Sequence, residues 1–129
     1  MKVYLAAAYG RRDELMGYAD VLRLAGHEVT ARWIDGRHDT PPDGMAPDSV
    51  EHLGWAAAED VADVLAADWL IGFTGGATRA RGGRHVEWGI ALATGKRLTL
   101  IGERENVFHC LPGVEVFPDW TAFVRAVAS

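Results

Sequence analysis

The sequence has a single cysteine, Cys110, so no disulfide can form within the chain and a reducing compartment fits. It also lacks a positive balance: the formal net charge of −5 offers no overall field to draw in DNA or an anionic membrane surface. No apolar run approaches the roughly 18 residues that a membrane span requires, and the first residues show no signal-peptide pattern. A cytoplasmic location is therefore expected, with neither a nucleic-acid polymer nor a membrane as partner. Two phosphate-binding signatures are missing as well. No Walker loop occurs, since its lysine and Ser/Thr are absent, and no G-x-G-x-x-G follows the first strand. His38, Asp39 and Asp43 lie close together but have no ligand-spaced His or Cys partners, so no metal is expected.

What is present fits one compact unit. The 129 residues are 49 % hydrophobic, enough to fill a core without staples, and are read as a single domain over residues 1–129. Residues 2–8 (KVYLAAA) form a short apolar run, as in a strand buried on both faces of a parallel sheet. From 11 to 25 the apolar positions Leu15, Tyr18, Leu22 and Ala25 predict an amphipathic helix, closed by Gly26. Residues 28–34 (EVTARWI) read as a second strand, and the Gly, Pro and Asp of 35–47 as a loop. Asp48 or Ser49 caps a helix running to about Ala67. Then come a strand at 68–74, a loop at 75–84, a helix at 85–94 ended by Gly95, and strands at 97–101 and 114–117. A helix at 120–127 closes the chain. This alternation predicts an α/β fold: a doubly wound, flavodoxin- or Rossmann-like sheet of five parallel strands with helices on both faces.

In such open sheets, ligands bind beyond the carboxyl ends of the strands, where strand order reverses. That rule singles out residues 8–12, 74–87 and 102–110. Glu87 falls in the opening turn of the helix expected from His85, where backbone N–H groups and the helix dipole favour an ionised carboxylate. Such a group can attack an anomeric carbon and form a covalent glycosyl-enzyme. On position alone, a glutamate that only complements the dipole is the commoner case. Asp60 either faces the same pocket, where it can pass a proton to a departing base, or is a solvated acid beside Glu59 and Asp63. Tyr4, in the first strand, is either ordinary core or a donor to Glu87. The loop at 75–84 holds four glycines with Arg79, Arg81 and Arg84, and with Arg11 and Arg12 it suggests a monophosphate cradle. Trp33, Trp55, Trp69 and Trp88 are expected mostly in the core, with one or two free to stack on a base.

Three segments, KVYLAAAYGRRDE, EDVADVLAADWLIGFT and GGRHVEWGIALATGK, resemble the nucleoside 2-deoxyribosyltransferase superfamily, in order and over nearly the whole chain. That superfamily includes 2′-deoxynucleoside 5′-monophosphate N-glycosidases. The resemblance implies that Glu87, in EWGIA, is the nucleophile. It implies that Asp60, eight residues before Asp68, assists base and sugar, and that Tyr4 hydrogen-bonds the nucleophile. It further implies a homodimer or higher homo-oligomer with shared active sites, Asn106 in ERENVFH being the best candidate for the donated residue. The loop departs from the family pattern: Arg81 stands where a phosphate-binding serine is frequent, with Gly83 at the matching glycine.

The expected reaction is cleavage of the N-glycosidic bond of a (deoxy)nucleoside 5′-monophosphate or nucleoside through Glu87, finished by water or by another base. Ala8, Tyr9 and Trp33 would meet sugar and base, and Arg11, Arg12, Arg81, Gly83 and Arg84 the phosphate. No cofactor is called for. The alternatives are an inactive nucleotide-binding module of the same fold and a hydrolase of a larger nucleotide such as NAD.

Overall fold

The computed structural model describes residues 1–76 and 82–127. The chain alternates as expected: β1 (Lys2–Ala6), α1 (Arg12–Leu24), β2 (Glu28–Val29), α2 (Val50–Ala66), β3 (Trp69–Phe73), α3 (Gly83–Ala93), β4 (Arg97–Ile101), β5 (Glu115–Phe117) and α4 (Trp120–Val127). The five strands pair in parallel in the order β2-β1-β3-β4-β5, the flavodoxin-like order, which reverses between β1 and β3. Register sets Tyr4 beside Leu70 and Ala6 beside Gly72. Because side chains alternate along a strand, these residues share one face and Phe73 points to the other.

The helices divide accordingly. Tyr18 of α1 stacks on Phe73 and on Trp120 of α4, joining those two helices on one face. On the other face α2 and α3 pack together, and Trp88 of α3 lies directly over Gly72, where an added Cβ would meet its ring at 3.0 Å. Trp69, Trp88 and Trp33 are all buried, so most of the four tryptophans singled out lie in the core as expected.

Local chemistry explains the helix boundaries. Ser49 caps α2 by accepting the N–H of His52 at 3.1 Å. α1 ends in a Schellman motif: Gly26, at φ +94°, donates to Arg23 O while His27 donates to Leu22 O. Gly95 and Lys96 close α3 in the same way on Leu92 and Ala91.

One expectation fails. The strand read over residues 28–34 survives only as Glu28–Val29, and Arg32–Asp35 is a 3-10 turn. β2 is an edge strand with one neighbour, so it has little ladder to hold it. Asp63 captures the Arg32 N–H at 3.0 Å and its guanidinium at 2.9 Å, while the Trp33 indole donates to Leu5 O at 3.0 Å. These bonds turn the backbone off the sheet.

Gly102, just beyond β4, is the most constrained glycine. It sits at φ +119° with the Thr74 carbonyl oxygen 2.6 Å from where a Cβ would stand. A Gly102→Ala protein is expected to lose about 2–4 kcal/mol of stability, because strain and backbone clash add. Urea unfolding checks this; a midpoint unchanged from the parent contradicts it.

Candidate active site

A cavity of about 650 Å³ opens beyond the end of β1, at the point where strand order reverses. Ala7, Ala8 and Tyr9 form its floor and near edge. The start of α3 contributes Gly82, Gly83, Arg84 and Glu87, and one face of α2 contributes His52, Leu53, Ala56 and Asp60. Trp33, His38, Asp39 and Asp48, from the segment between β2 and α2, make the far wall.

Tyr4 and Glu87 meet at the base of this cavity. The Tyr4 hydroxyl donates to Glu87 Oε2, linking β1 to α3 across 83 positions of sequence. The two residues approach because β1 and β3 are neighbours and α3 returns over the face on which Tyr4 stands. Burial raises the Glu87 pKa to about 8; the Tyr4 hydrogen bond opposes the shift, and the nearby charges of Asp60 and Asp63 add to it. Burial likewise lifts the Tyr4 hydroxyl well above its ordinary value, so it stays a donor.

That result corrects an expectation. α3 begins at Gly83 rather than His85, so Glu87 lies beyond the first turn and away from the open amides. Its carboxyl is not held ionised by a helix terminus. It is held partly desolvated, with its pKa displaced upward.

Asp60 lies on the cavity face of α2, its Oδ1 buried and without a hydrogen-bond partner among the described residues. Burial raises its pKa to about 6; His38 and Arg32 pull it down while Asp63 and Glu59 push it up. Two carboxyls with separated affinities for protons thus share one enclosed space.

The remaining residues singled out in the sequence divide into two groups. Ala8, Tyr9, Trp33, Gly83 and Arg84 line the cavity. Arg84 gives one Nη to Glu105 at 2.6 Å and keeps a buried Nε–H that no described group accepts. Arg11 and Arg12 do not line it. Glu14 holds Arg11 in a bidentate pair at 2.8 and 2.9 Å, and Asp39 and Tyr9 hold Arg12 at 2.5 and 2.9 Å. Both guanidiniums are occupied by nearby acceptors instead of completing an anion cradle. Asn106 is not on the cavity lining of its own chain: its side chain accepts the Phe108 N–H at 2.9 Å and caps a 3-10 turn. Arg79 and Arg81 lie outside the described residues. Among the described residues no group of three or more His, Cys, Asp or Glu side chains is arranged to hold a metal.

His38, Asp39, Asp48, His52, Leu53 and Ala56 were not anticipated at the cavity. For α2 a signal existed: positions 52, 53, 56 and 60 follow helical spacing on the side bearing Asp60. For the far wall, composition spoke only of a loop.

Neither a family model nor a curated protein matches the sequence. Solved structures do match in shape. The chain is similar to a 2-deoxyribosyltransferase of Bacillus psychrosaccharolyticus, with a TM-score of 0.73 and 23 % identity over 94 % of this chain and 88 % of that one. It is similar to a CMP N-glycosidase of Clostridium botulinum, with a TM-score of 0.59 and 20 % identity over 99 % of this chain and 98 % of that one. The five-stranded parallel sheet, flanked by α1 and α4 on one face and by α2 and α3 on the other, is the fold on which that deoxyribosyltransferase and that N-glycosidase are built.

Proposed function

We propose that this chain is an enzyme that cleaves the N-glycosidic bond of a nucleoside or a (deoxy)nucleoside 5′-monophosphate, with Glu87 as nucleophile and residues 1–129 as its catalytic domain. One observation carries the reading: a desolvated glutamate, hydrogen-bonded by a buried tyrosine, opens into the same cavity as a second, half-buried carboxyl of different proton affinity. A carboxylate stripped of water is poorly stabilised until a positive charge forms beside it, which is what an oxocarbenium-like transition state supplies.

In this scheme Glu87 attacks C1′ from the face opposite the base. The C1′–N bond breaks with its electron pair on the base, and Asp60 gives that base its proton. Tyr4 orients Glu87. Ala8, Tyr9 and Trp33 surround sugar and base, and Gly83 and Arg84, with its free Nε–H, receive the phosphate; Arg81 belongs to the same segment. Water or a second base then takes the sugar from Glu87. No cofactor enters.

A homo-oligomer with shared sites belongs to this proposal. Val50, Leu53, Val61 and Leu65 expose apolar surface along α2, and Val86 does so on α3, beside the cavity. In the proposed assembly a second copy covers this surface and its Asn106 segment completes the neighbouring site. A cytoplasmic location also belongs to the proposal, and no described helix is long and apolar enough to cross a membrane.

Base release over a panel of nucleosides and monophosphates, followed by chromatography, tests the activity. A 2-fluoro sugar analogue is expected to leave a mass adduct on the peptide containing Glu87. Release that persists in Glu87→Ala would sink the covalent scheme, and silence on every substrate would favour a binding module.

A further inference from the structure

The segment between β2 and α2 carries a histidine that no step above uses. His38 lines the cavity with only 8 % of its side chain exposed, and each ring nitrogen faces a carboxyl. Nε2 lies 3.2 Å from Glu59 Oε1, and Nδ1 lies 3.8 Å from Asp60 Oδ1. Glu59 is gripped by Arg37 at 2.5 and 2.8 Å and by Arg32 at 3.2 Å. The Arg37 hydrogen bonds, above all, bring the Glu59 pKa down to about 2.

A carboxylate that stays ionised can be met only by a donor, so the Nε2 proton of His38 is fixed in place. The rest of the residue is held just as firmly. Its carbonyl accepts from His52 Nε2 at 2.9 Å, and His52 Nδ1 in turn accepts the Asp48 N–H at 3.0 Å. Its ring meets Trp55 edge-on, with centroids 5.3 Å apart. The other nitrogen, Nδ1, is turned toward Asp60 Oδ1, a buried oxygen that no described group hydrogen-bonds.

We infer that His38 is a positioning residue for Asp60: clamped by Glu59, it keeps Nδ1 facing Asp60 Oδ1 at 3.8 Å and so fixes the charge that this carboxyl meets and the direction in which it points. The inference rests on the proposed glycosidic cleavage and assigns that reaction a residue beyond its two carboxyls. In the cleavage step the Asp60 O–H bond breaks, an N–H bond forms on the departing base, and His38 makes and breaks no covalent bond. When water later attacks the sugar on Glu87, its proton returns to Asp60.

The groups around the pair define the electrostatic balance. Asp60 feels Glu59, Asp63, Glu87 and Tyr4 on the acidic side, with His38 and Arg32 opposing them. His38 also acts on Asp39. Removing His38 therefore leaves Arg32 alone against the acids.

Carboxyl ¹³C NMR of the intact protein reads the Asp60 titration directly. In His38→Phe, which keeps a ring against Trp55, the Asp60 midpoint is expected to rise by roughly one pH unit. His38→Gln, which returns a polar atom near Oδ1, should restore part of the difference. On substrate, His38→Phe should lower kcat about tenfold with KM little changed, and move the Asp60 limb of the pH profile by the same interval. An unmoved midpoint in folded His38→Phe, or in His38→Gln should the first not fold, overturns the inference. If the midpoint moves but the parent releases no base from any nucleotide, the proposed activity fails and the pairing stands.

Discussion

A Glu87→Gln protein is expected to release base at least on the order of 10³-fold more slowly than the parent, and to be more stable than the parent at pH 8. The first effect follows from removing the only group placed to attack C1′ in the proposed scheme. The second follows from proton linkage. Folding carries the Glu87 pKa from an ordinary 4.5 to about 8, so between those values the folded chain holds a proton that the unfolded chain has released. Parent stability therefore falls as pH rises through this window. Glutamine does not titrate and escapes that cost, which is of the order of a few kcal/mol when the window has been fully crossed. Thermal melts at pH 4.5 and pH 8 should show the two proteins converging at the lower pH and the variant melting several degrees higher at the upper one. A variant that melts with the parent at both pH values would mean that Glu87 is not desolvated in the folded protein.

Asp60→Asn is expected to change the form of the pH profile, not only its height. In the parent, the pair holds two protons below about pH 6 and none above about pH 8. Chemistry needs one proton on the pair, with Glu87 ionised and Asp60 protonated, so kcat/KM should describe a bell with limbs near those values. The limbs belong to the pair and not to either residue alone. Within the bell only a minority of molecules carry the proton on Asp60, since Glu87 binds it more tightly. With asparagine at 60, one titration disappears and the negative charge that helped to raise Glu87 goes with it. A single ascending limb should remain, its midpoint below 8, with the plateau depressed on the order of 10²–10⁴-fold because the base departs without its acid. A bell that persists in Asp60→Asn would assign the alkaline limb to another group.

Much of this arrangement can be read from sequence, for identifiable reasons. Apolar runs separated by helical spacing give the alternation that becomes the parallel sheet, and Gly26, Gly95 and Ser49 mark helix ends where the structure has them. The meeting of Tyr4 with Glu87 follows from topology, since a doubly wound sheet sets β1 beside β3. What escaped depends on distant partners. Arg32 leaves the strand because Asp63 captures it from 31 residues away, a competition that no local propensity registers. Arg11 and Arg12 have the composition of a phosphate cradle, but Glu14 and Asp39 claim them first. Glu87 stands clear of the open helix terminus because α3 starts at Gly83, two residues earlier than the spacing predicts. Charge state is set by environment, and environment is a property of the folded whole.

On either side of the α2 face, the cavity has two unlike walls. One is built on β1 and α3, anchored in the sheet, and carries Tyr4 and Glu87. The other is a stretch of irregular chain between β2 and α2, fastened by side-chain clasps: Asp39 to Arg12 and Tyr9, and His38 to Glu59. On that second wall Asp39 stands outside every strand and helix, so it can be exchanged without disturbing the strand pairing that seats Tyr4. Selection acting on this protein thus has a free variable for which base is admitted and a fixed one for how the bond is broken.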